Sequence, residues 1–336
     1  MIYAILKAEE RIMSNIRWGI IGAGSIANET AEALKANGMH FEAIYNRTYD
    51  KAMDFAQRHG VEHVYETAEE LFASDIDAVY ITTLNNHHYR FIRQALLADK
   101  HVLCEKSITL NSQELEELNE LAKERKLILA EAMTIYHMPL YEKIAEMIAS
   151  GETGNIFLIN VSFGSYNEYD AESRFFDMTK GAGALLDIGV YAIAMARYFL
   201  KEQPDQIVSL TRPSFTGSDE EFGIVMKNSQ DEMATIIMSM HVKLPKRAVI
   251  SCEKGYFEIV EYPRGDKATY TDGKTREVIE INAGDRSQAL PYEFADMEKA
   301  IMNSDPSIMK TDLTRDVMEI MTKLRYQWGY IFPEEN

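Results

Sequence analysis

Cysteine is nearly absent from this chain: its 336 residues include two, Cys104 and Cys252. They lie far apart and match no metal-ligand or redox spacing, so no metal site is expected. Two buried, reduced thiols are expected instead, and a reducing cytoplasm suits them. Positive charge is also in deficit. With 35 basic against 53 acidic residues the net charge is -18, which argues against a nucleic-acid groove or an anionic membrane surface and suits a small-molecule partner. Long apolar runs are missing too: no window reaches the roughly 18 uninterrupted apolar residues of a membrane span. The most apolar stretch, GALLDIGVYAIAMARYFL, is broken by Asp187 and Arg197. The opening MIYAILKAEERIMSN lacks a secretory pattern, and Met13 reads as an internal start that leaves residues 1–13 as an extension. Internal repeats, low-complexity tracts and long linkers are absent as well.

What is present is an ordinary globular composition, 46% hydrophobic and 26% charged, long enough for two domains with their own cores. Through residue 131 short branched runs alternate with helical stretches. The runs are 16–22, 41–46, 77–83, 101–105 and 127–131; the helices are 26–36, 49–59, 68–73, 87–98 and 112–125. This alternation implies a parallel, doubly wound sheet with helices on both faces. A helix after Pro139 stops at Gly151, and the pattern then changes. NIFLINVSFGSY, QIVSLTRP, EFGIVMKN, EMATIIMSMHV, RAVISCEKG and YFEIVEY read as strands joined by turns, which suggests an antiparallel or mixed sheet. A helix at 185–199 interrupts the series, and helices at 292–302 and 313–327 close the chain. The expected division is a dinucleotide-type domain (1–135), a sheet domain (136–315), and a C-terminal helix and tail (316–336).

WGIIGAGSIANETAEALKANG places Gly22, Gly24 and Ala27 between the first strand and the first helix, which starts near Ser25 and Ile26. An ordinary turn uses glycine in the same way. At the first strand–helix junction of a βαβ domain, however, this is a dinucleotide fingerprint, with the helix N-terminus offered to a pyrophosphate. A ribose-binding carboxylate is expected at the end of the second strand. Asn46 and Arg47 stand there instead, followed by Lys51, and Glu42 lies too early. Arg47 can pair with a 2′-phosphate, so NADP is favoured over NAD; the alternative is that Arg47 is a solvated residue at a helix start.

KHVLCEKSITLN puts Glu105 and Lys106 at the carboxyl end of a buried strand, where doubly wound sheets form their ligand crevice. A lysine at a strand end is more often a solvated charge. In GAGALLDIGVYAIAMARYF, Asp187 and Tyr191 are four apart and share a helix face. The plain alternative is a capping aspartate with a core tyrosine. Combined with a lysine and a nicotinamide, the pair makes a hydride-transfer site in which Tyr191 needs a cation such as Lys106 to stabilise its phenolate. Lys106 is also placed to bind the substrate oxygen, and Asp187 to orient the lysine or substrate hydroxyls.

These pieces resemble the Gfo/Idh/MocA oxidoreductase family across essentially all residues after Ile16. The resemblance is carried by GAGSIA, TTLNNHH, DKHVLCEKS, EAM…MP, SGETGNI, GAGALLDIGVY and DVMEIMTKLRYQWGYIFPE. In detail the chain is most similar to the branch with dimeric dihydrodiol dehydrogenase and glucose–fructose oxidoreductase, which has Tyr where Tyr191 stands. The resemblance implies a Rossmann domain followed by an open, mostly antiparallel sheet that mediates a homodimer or higher homo-oligomer. It implies Lys106 and Tyr191 at the reacting carbon. It places Thr83, Asn85 and His88 beside the nicotinamide half of the cofactor, and Glu105 near its ribose. Tyr136, Phe163, Tyr166, Arg174, Phe175 and Phe176 would line the substrate side. Ser107 and Leu84 replace family prolines, the first expected to loosen the placement of Lys106, and Tyr136 stands where relatives often carry Arg. The expected activity is hydride transfer between a nicotinamide cofactor and a sugar, polyol or cyclic diol. A non-catalytic cofactor-binding regulator and an NAD-assisted glycosidase are the alternatives.

Overall fold

The computed structural model describes residues 16–335, so the expected extension at 1–13 lies outside it. Six short strands form the first sheet: β1 (Trp18–Ile21), β2 (Phe41–Tyr45), β3 (His63–Tyr65), β4 (Ala78–Ile81), β5 (His101–Glu105) and β6 (Leu129–Ala132). Every pairing is parallel and the order is β3-β2-β1-β4-β5-β6. The continuous apolarity of β1 and β4 follows from burial on both faces. β3 escapes the sequence pattern because it has three residues, one of them exposed.

Helices α1 (Ser25–Ala36) and α2 (Tyr49–His59) cover one face over β1 and β2. Helices α3 (Ala68–Ala73), α4 (Asn85–Leu97) and α5 (Ser112–Arg125) cover the other. Local chemistry sets several of these ends. Thr67 and Glu70 form a reciprocal capping box on α3, the Asn111 side chain accepts from the Glu114 N–H at the start of α5 (2.9 Å), and α2 stops at Gly60 in the left-handed region.

After α6 (Pro139–Ala149) comes an eight-stranded sheet. Its strands are β7 (Ile156–Gly164), β8 (Gln206–Pro213), β9 (Asp219–Lys227), β10 (Met233–Ser239), β11 (Leu244–Cys252), β12 (Gly255–Val260), β13 (Lys267–Asp272) and β14 (Val278–Asn282). The order is β14-β13-β12-β11-β7-β10-β9-β8, with only β7–β10 parallel. β13 (KATYTD) is largely polar, and β14 (VIEIN) at the sheet edge is five residues long with one of them buried, so neither stands out as a long apolar run. One face of this sheet packs on α7 (Val190–Phe199), seven of whose ten residues are buried; the most apolar stretch of the chain is therefore a core helix. The other face is open.

The closing helices are α8 (Ala289–Asn303) and α9 (Thr311–Trp328). α8 returns to the first sheet, where Phe294 packs on Trp18, Phe41 and Tyr80 with ring centroids 4.6, 5.9 and 5.1 Å apart. Met297 and Ala300 join Leu103 and Ala130 in the same core. α8 thus fills the part of that face, over β4–β6, which the local βαβ chain leaves uncovered. Both cysteines are free; Cys104 is buried and Cys252 half-buried.

Candidate active site

The carboxyl ends of β1, β2, β4 and β5 open into one cleft of about 780 Å3. Its floor is the glycine loop. Gly22 has φ +108°, and a Cβ there would overlap the Thr82 side chain, so only glycine fits the turn. At Gly24 a Cβ would meet nothing within 4 Å and would project into open space. Gly24 is also the N-cap of α1 and supplies no side-chain cap, which leaves the first N–H groups free for an anion. Ser25 and Ile26 line the same edge. This cradle fits a dinucleotide pyrophosphate.

At the end of β2 the lining residues are Tyr45, Asn46 and Arg47, with no carboxylate among them. Opposite stand His87 and Arg90 from the first turns of α4. Burial lowers the His87 pKa, and the charges of Arg47 and Arg90 lower it further. His87 and Arg90 escaped the sequence reading, although their i, i+3 spacing at the end of β4 is the signal that finds them. Thr83 and Asn85 line the mouth of the cleft. Leu84, the N-cap of α4, has φ -71°, which a proline would also adopt, so this departure leaves the backbone as it was.

His88 is fully buried behind this wall. Its Nδ1 lies 2.9 Å from the Ser107 carbonyl oxygen and its Nε2 3.0 Å from that of Thr83. Burial pushes its pKa down to about 4, so a neutral imidazole ties the end of β4 to the loop after β5.

Glu105 and Lys106 leave β5 at the inner end of the cleft. Burial raises the Glu105 carboxyl, which accepts a hydrogen bond from the Tyr80 hydroxyl. Lys106 Nζ donates to the Asp187 carbonyl oxygen (2.5 Å) and to Asp187 Oδ1 (3.0 Å). It also lies 5.0 Å from the centroid of the Tyr191 ring. Arg174 Nη1 is 3.6 Å from the same Oδ1. Asp187 therefore orients the lysine and does not cap a helix. Burial opposes the Lys106 charge, but Asp187 and Tyr191 outweigh it and its pKa rises. Burial raises Tyr191 to about 12 despite Lys106. At neutral pH the resting pair is an ammonium and a neutral phenol.

The segment that carries Asp187 and Tyr191 is not helical in one piece. A π turn at Leu185–Gly189 precedes α7, and this wider turn is a common device at functional sites. Ser107 is fully buried and its Oγ donates to the Leu186 carbonyl oxygen (2.8 Å), which ties the loop after β5 to the segment that carries Asp187.

Of the expected substrate side, Arg174 lines the cleft and stacks on Phe175 at 4.4 Å. Tyr136, Phe163 and Phe176 are buried core residues, and Tyr166 is exposed; none of these lines the cleft. Among the described residues no group of three or more His, Cys, Asp and Glu could hold a metal ion.

Comparison with known proteins agrees with this architecture. Residues 16–133 match the family described as an oxidoreductase family with NAD-binding Rossmann fold, and residues 141–258 match the GFO/IDH/MocA C-terminal domain. Trans-1,2-dihydrobenzene-1,2-diol dehydrogenase of Xenopus tropicalis is 30% identical over 329 residues, covering 94% of this chain and 99% of the relative. The enzyme of the same name from Danio rerio is 30% identical over 334 residues, with 96% and 99% covered. Among solved structures, the 3-ketoreductase KijD10 of Actinomadura kijaniata with NADP and TDP-benzene is 25% identical. It superposes with a TM-score of 0.83 over 93% of this chain and 97% of that one. The parallel sheet with its glycine cradle, the open second sheet and these matches place the chain in the Gfo/Idh/MocA oxidoreductase family.

Proposed function

We propose that this oxidoreductase uses NADP in preference to NAD and acts on the CH–OH carbon of a sugar, polyol or cyclic diol. The observation that carries the reading is the convergence of Lys106, Asp187 and Tyr191 at the inner end of the glycine-loop cleft. When bound along that cleft, the nicotinamide supplies or accepts the hydride. In carbonyl reduction negative charge develops on the substrate oxygen, and the site must donate to it. Lys106 and Tyr191 both carry their protons at neutral pH. In alcohol oxidation the hydroxyl proton passes to Tyr191 only after the phenol has lost its own, so the phenolate beside Lys106 is the base, Asp187 holds the lysine in place, and oxidation is favoured at alkaline pH. A non-catalytic regulator would have no need of this set.

Named relatives support the substrate class: the dihydrodiol dehydrogenases act on a cyclic diol, and KijD10 is a ketoreductase. The preference for NADP rests on Arg47 and Arg90, which both line the cleft, and on the lack of a carboxylate at the end of β2. The reading further assigns residues 1–135 to the cofactor, 136–315 to substrate and assembly, and 316–336 to a closing helix and tail, in a cytoplasmic protein. It also includes a homodimer or higher homo-oligomer through the open face of the second sheet, where Val208, Leu210, Val225 and Ile237 are exposed.

The test is a fluorescence titration of the purified protein with NADPH and with NADH, repeated on Arg47→Asp. Both arginines are exposed, so screening limits each pairing with a 2′-phosphate to about 1–2 kcal/mol, or about five- to thirtyfold in affinity. NADPH is expected to bind more tightly, and the substitution to weaken NADPH alone. Tighter NADH binding would remove the cofactor assignment, and binding of neither would remove the functional reading.

A further inference from the structure

The π turn at Leu185–Gly189 is held by side chains from elsewhere in the chain at three consecutive residues. Asp219 accepts from the Leu185 N–H (2.6 Å), Ser107 donates to the Leu186 carbonyl oxygen (2.8 Å), and Lys106 donates to that of Asp187 (2.5 Å). A π turn withholds i→i+4 partners from some of its backbone groups, so such anchors decide its geometry. Ser107 and Lys106 belong to the loop after β5, already part of the site. Asp219 does not: it opens β9, is 4% exposed and lies outside the cleft.

The sequence around the turn is shaped to admit this carboxylate. Gly183 has φ +126°, and a Cβ on it would overlap the Asp219 carboxylate. Gly183 therefore supplies both an unusual backbone conformation and the space for the anchor. Behind Asp219 the β8–β9 hairpin is closed by a hydroxyl cluster: Ser214 Oγ lies 2.8 Å from both Thr216 Oγ1 and Ser218 Oγ. The carboxylate thus approaches the turn from a rigid strand start.

We propose that Asp219 is a positioning residue for the reaction: its carboxylate anchors the start of the π turn and so fixes where Asp187 and Tyr191 meet Lys106. This rests on the oxidoreductase reading above. Burial raises the Asp219 pKa to about 7, while the N–H groups of Leu185 and Ala184 and the charge of Arg325 favour its ionised form. Arg325 comes from α9 and is paired with Glu335; the Tyr330 phenol is the other titratable group beside it. As pH falls through neutrality the anchor changes from a charge-assisted hydrogen bond to a weaker neutral one. Turnover is lost with it, whereas cofactor affinity is not, because Asp219 is outside the cleft.

The test compares the wild type with Asp219→Asn by steady-state kinetics, NADPH titration and hydrogen exchange of residues 183–191. The variant is expected to lose about ten- to a hundredfold in kcat, the scale of a small misplacement at a reacting centre. Its KM and NADPH affinity stay at the wild-type values, exchange in 183–191 accelerates, and the acid limb of the kcat profile near pH 7 disappears. Wild-type kcat together with wild-type exchange would overturn the proposal. If the variant does not fold, exchange of 183–191 in the wild type decides, measured from pH 5.5 to 8.5 and corrected for the intrinsic chemical rate. Protection that rises through neutrality supports the anchor, and flat protection refutes it. Failure of the functional reading would show separately, as absence of NADPH binding by the wild type.

Discussion

Replacing Glu131 by glutamine removes one of the chain's largest pH-dependent costs. Glu131 lies on β6, 1% exposed, with Oε1 accepting from the Ile108 N–H (3.0 Å) and Oε2 from the Thr314 hydroxyl (3.4 Å). Burial raises its pKa to about 7 against these two hydrogen bonds, and the charge of Glu105 adds to the rise. The folded value thus lies above the unfolded one, so between about pH 4.5 and pH 7 the folded state holds a proton that the unfolded state has released. Stability falls as pH rises through that window, by about 3 kcal/mol in all, and is flat above it. A glutamine keeps the shape of the protonated acid and carries no charge. Urea unfolding from pH 5 to pH 9 should therefore give an advantage for Glu131→Gln that grows from about 0.8 kcal/mol at pH 5 to about 3 kcal/mol by pH 8. The other buried carboxyls are common to both proteins and cancel in the difference. Parallel stability curves across this range would refute the argument.

Three further outcomes follow from the site and the open sheet. Gly24→Val should weaken NADPH binding at least about tenfold while shifting the unfolding midpoint by less than about 2 °C, because the new side chain enters only the cleft; titration and calorimetry check both halves. Lys106→Met should lower kcat by about 10²–10⁴-fold and leave NADPH affinity within about threefold, a split that steady-state kinetics and titration read together. Ile237→Glu on the open face of the second sheet, where Ile237 is 57% exposed, should yield monomers in light scattering; a wild type that is already monomeric would refute the assembly.

The first sheet was legible because its signals are local. Helices at 49–59, 68–73 and 112–125 end where capping residues or backbone reversals stop them. The boundary of α4 is read at His87 and lies at Asn85, a shift that leaves the i, i+3 spacing of His87 and Arg90 unchanged. β3, β13 and β14 escape a search for apolar runs because β3 has three residues, β13 is largely polar, and β14 has five residues of which one is buried. Within the site, Gly22, Gly24, Arg47, Lys106, Asp187 and Tyr191 could be read from motif and spacing, and the structure brings them to one cleft or its edge. The π turn and its anchor Asp219 could not. The anchor lies 34 residues from Leu185 in sequence, and only the pairing of β8 with β9 and the packing behind it bring the two together. The aromatic residues expected on the substrate side do not line the glycine-loop cleft. An apolar ring in a sequence does not reveal whether it faces a cavity or the core, and Tyr136, Phe163 and Phe176 face the core.

The return of α8 to the first sheet sets a timetable for synthesis. The six strands of that sheet are complete once Ala132 has been made, but Phe294, Met297 and Ala300, which cover Trp18, Phe41 and Tyr80, arrive roughly 170 residues later. At about 5–20 residues per second the interval is on the order of ten to thirty seconds. For that time the part of this face over β4–β6, with Tyr80, Leu103 and Ala130, lacks its covering helix. Expression of the first 135 residues alone would make this condition permanent. Such a fragment is expected to aggregate, and to be rescued by supplying 286–336 as a separate chain.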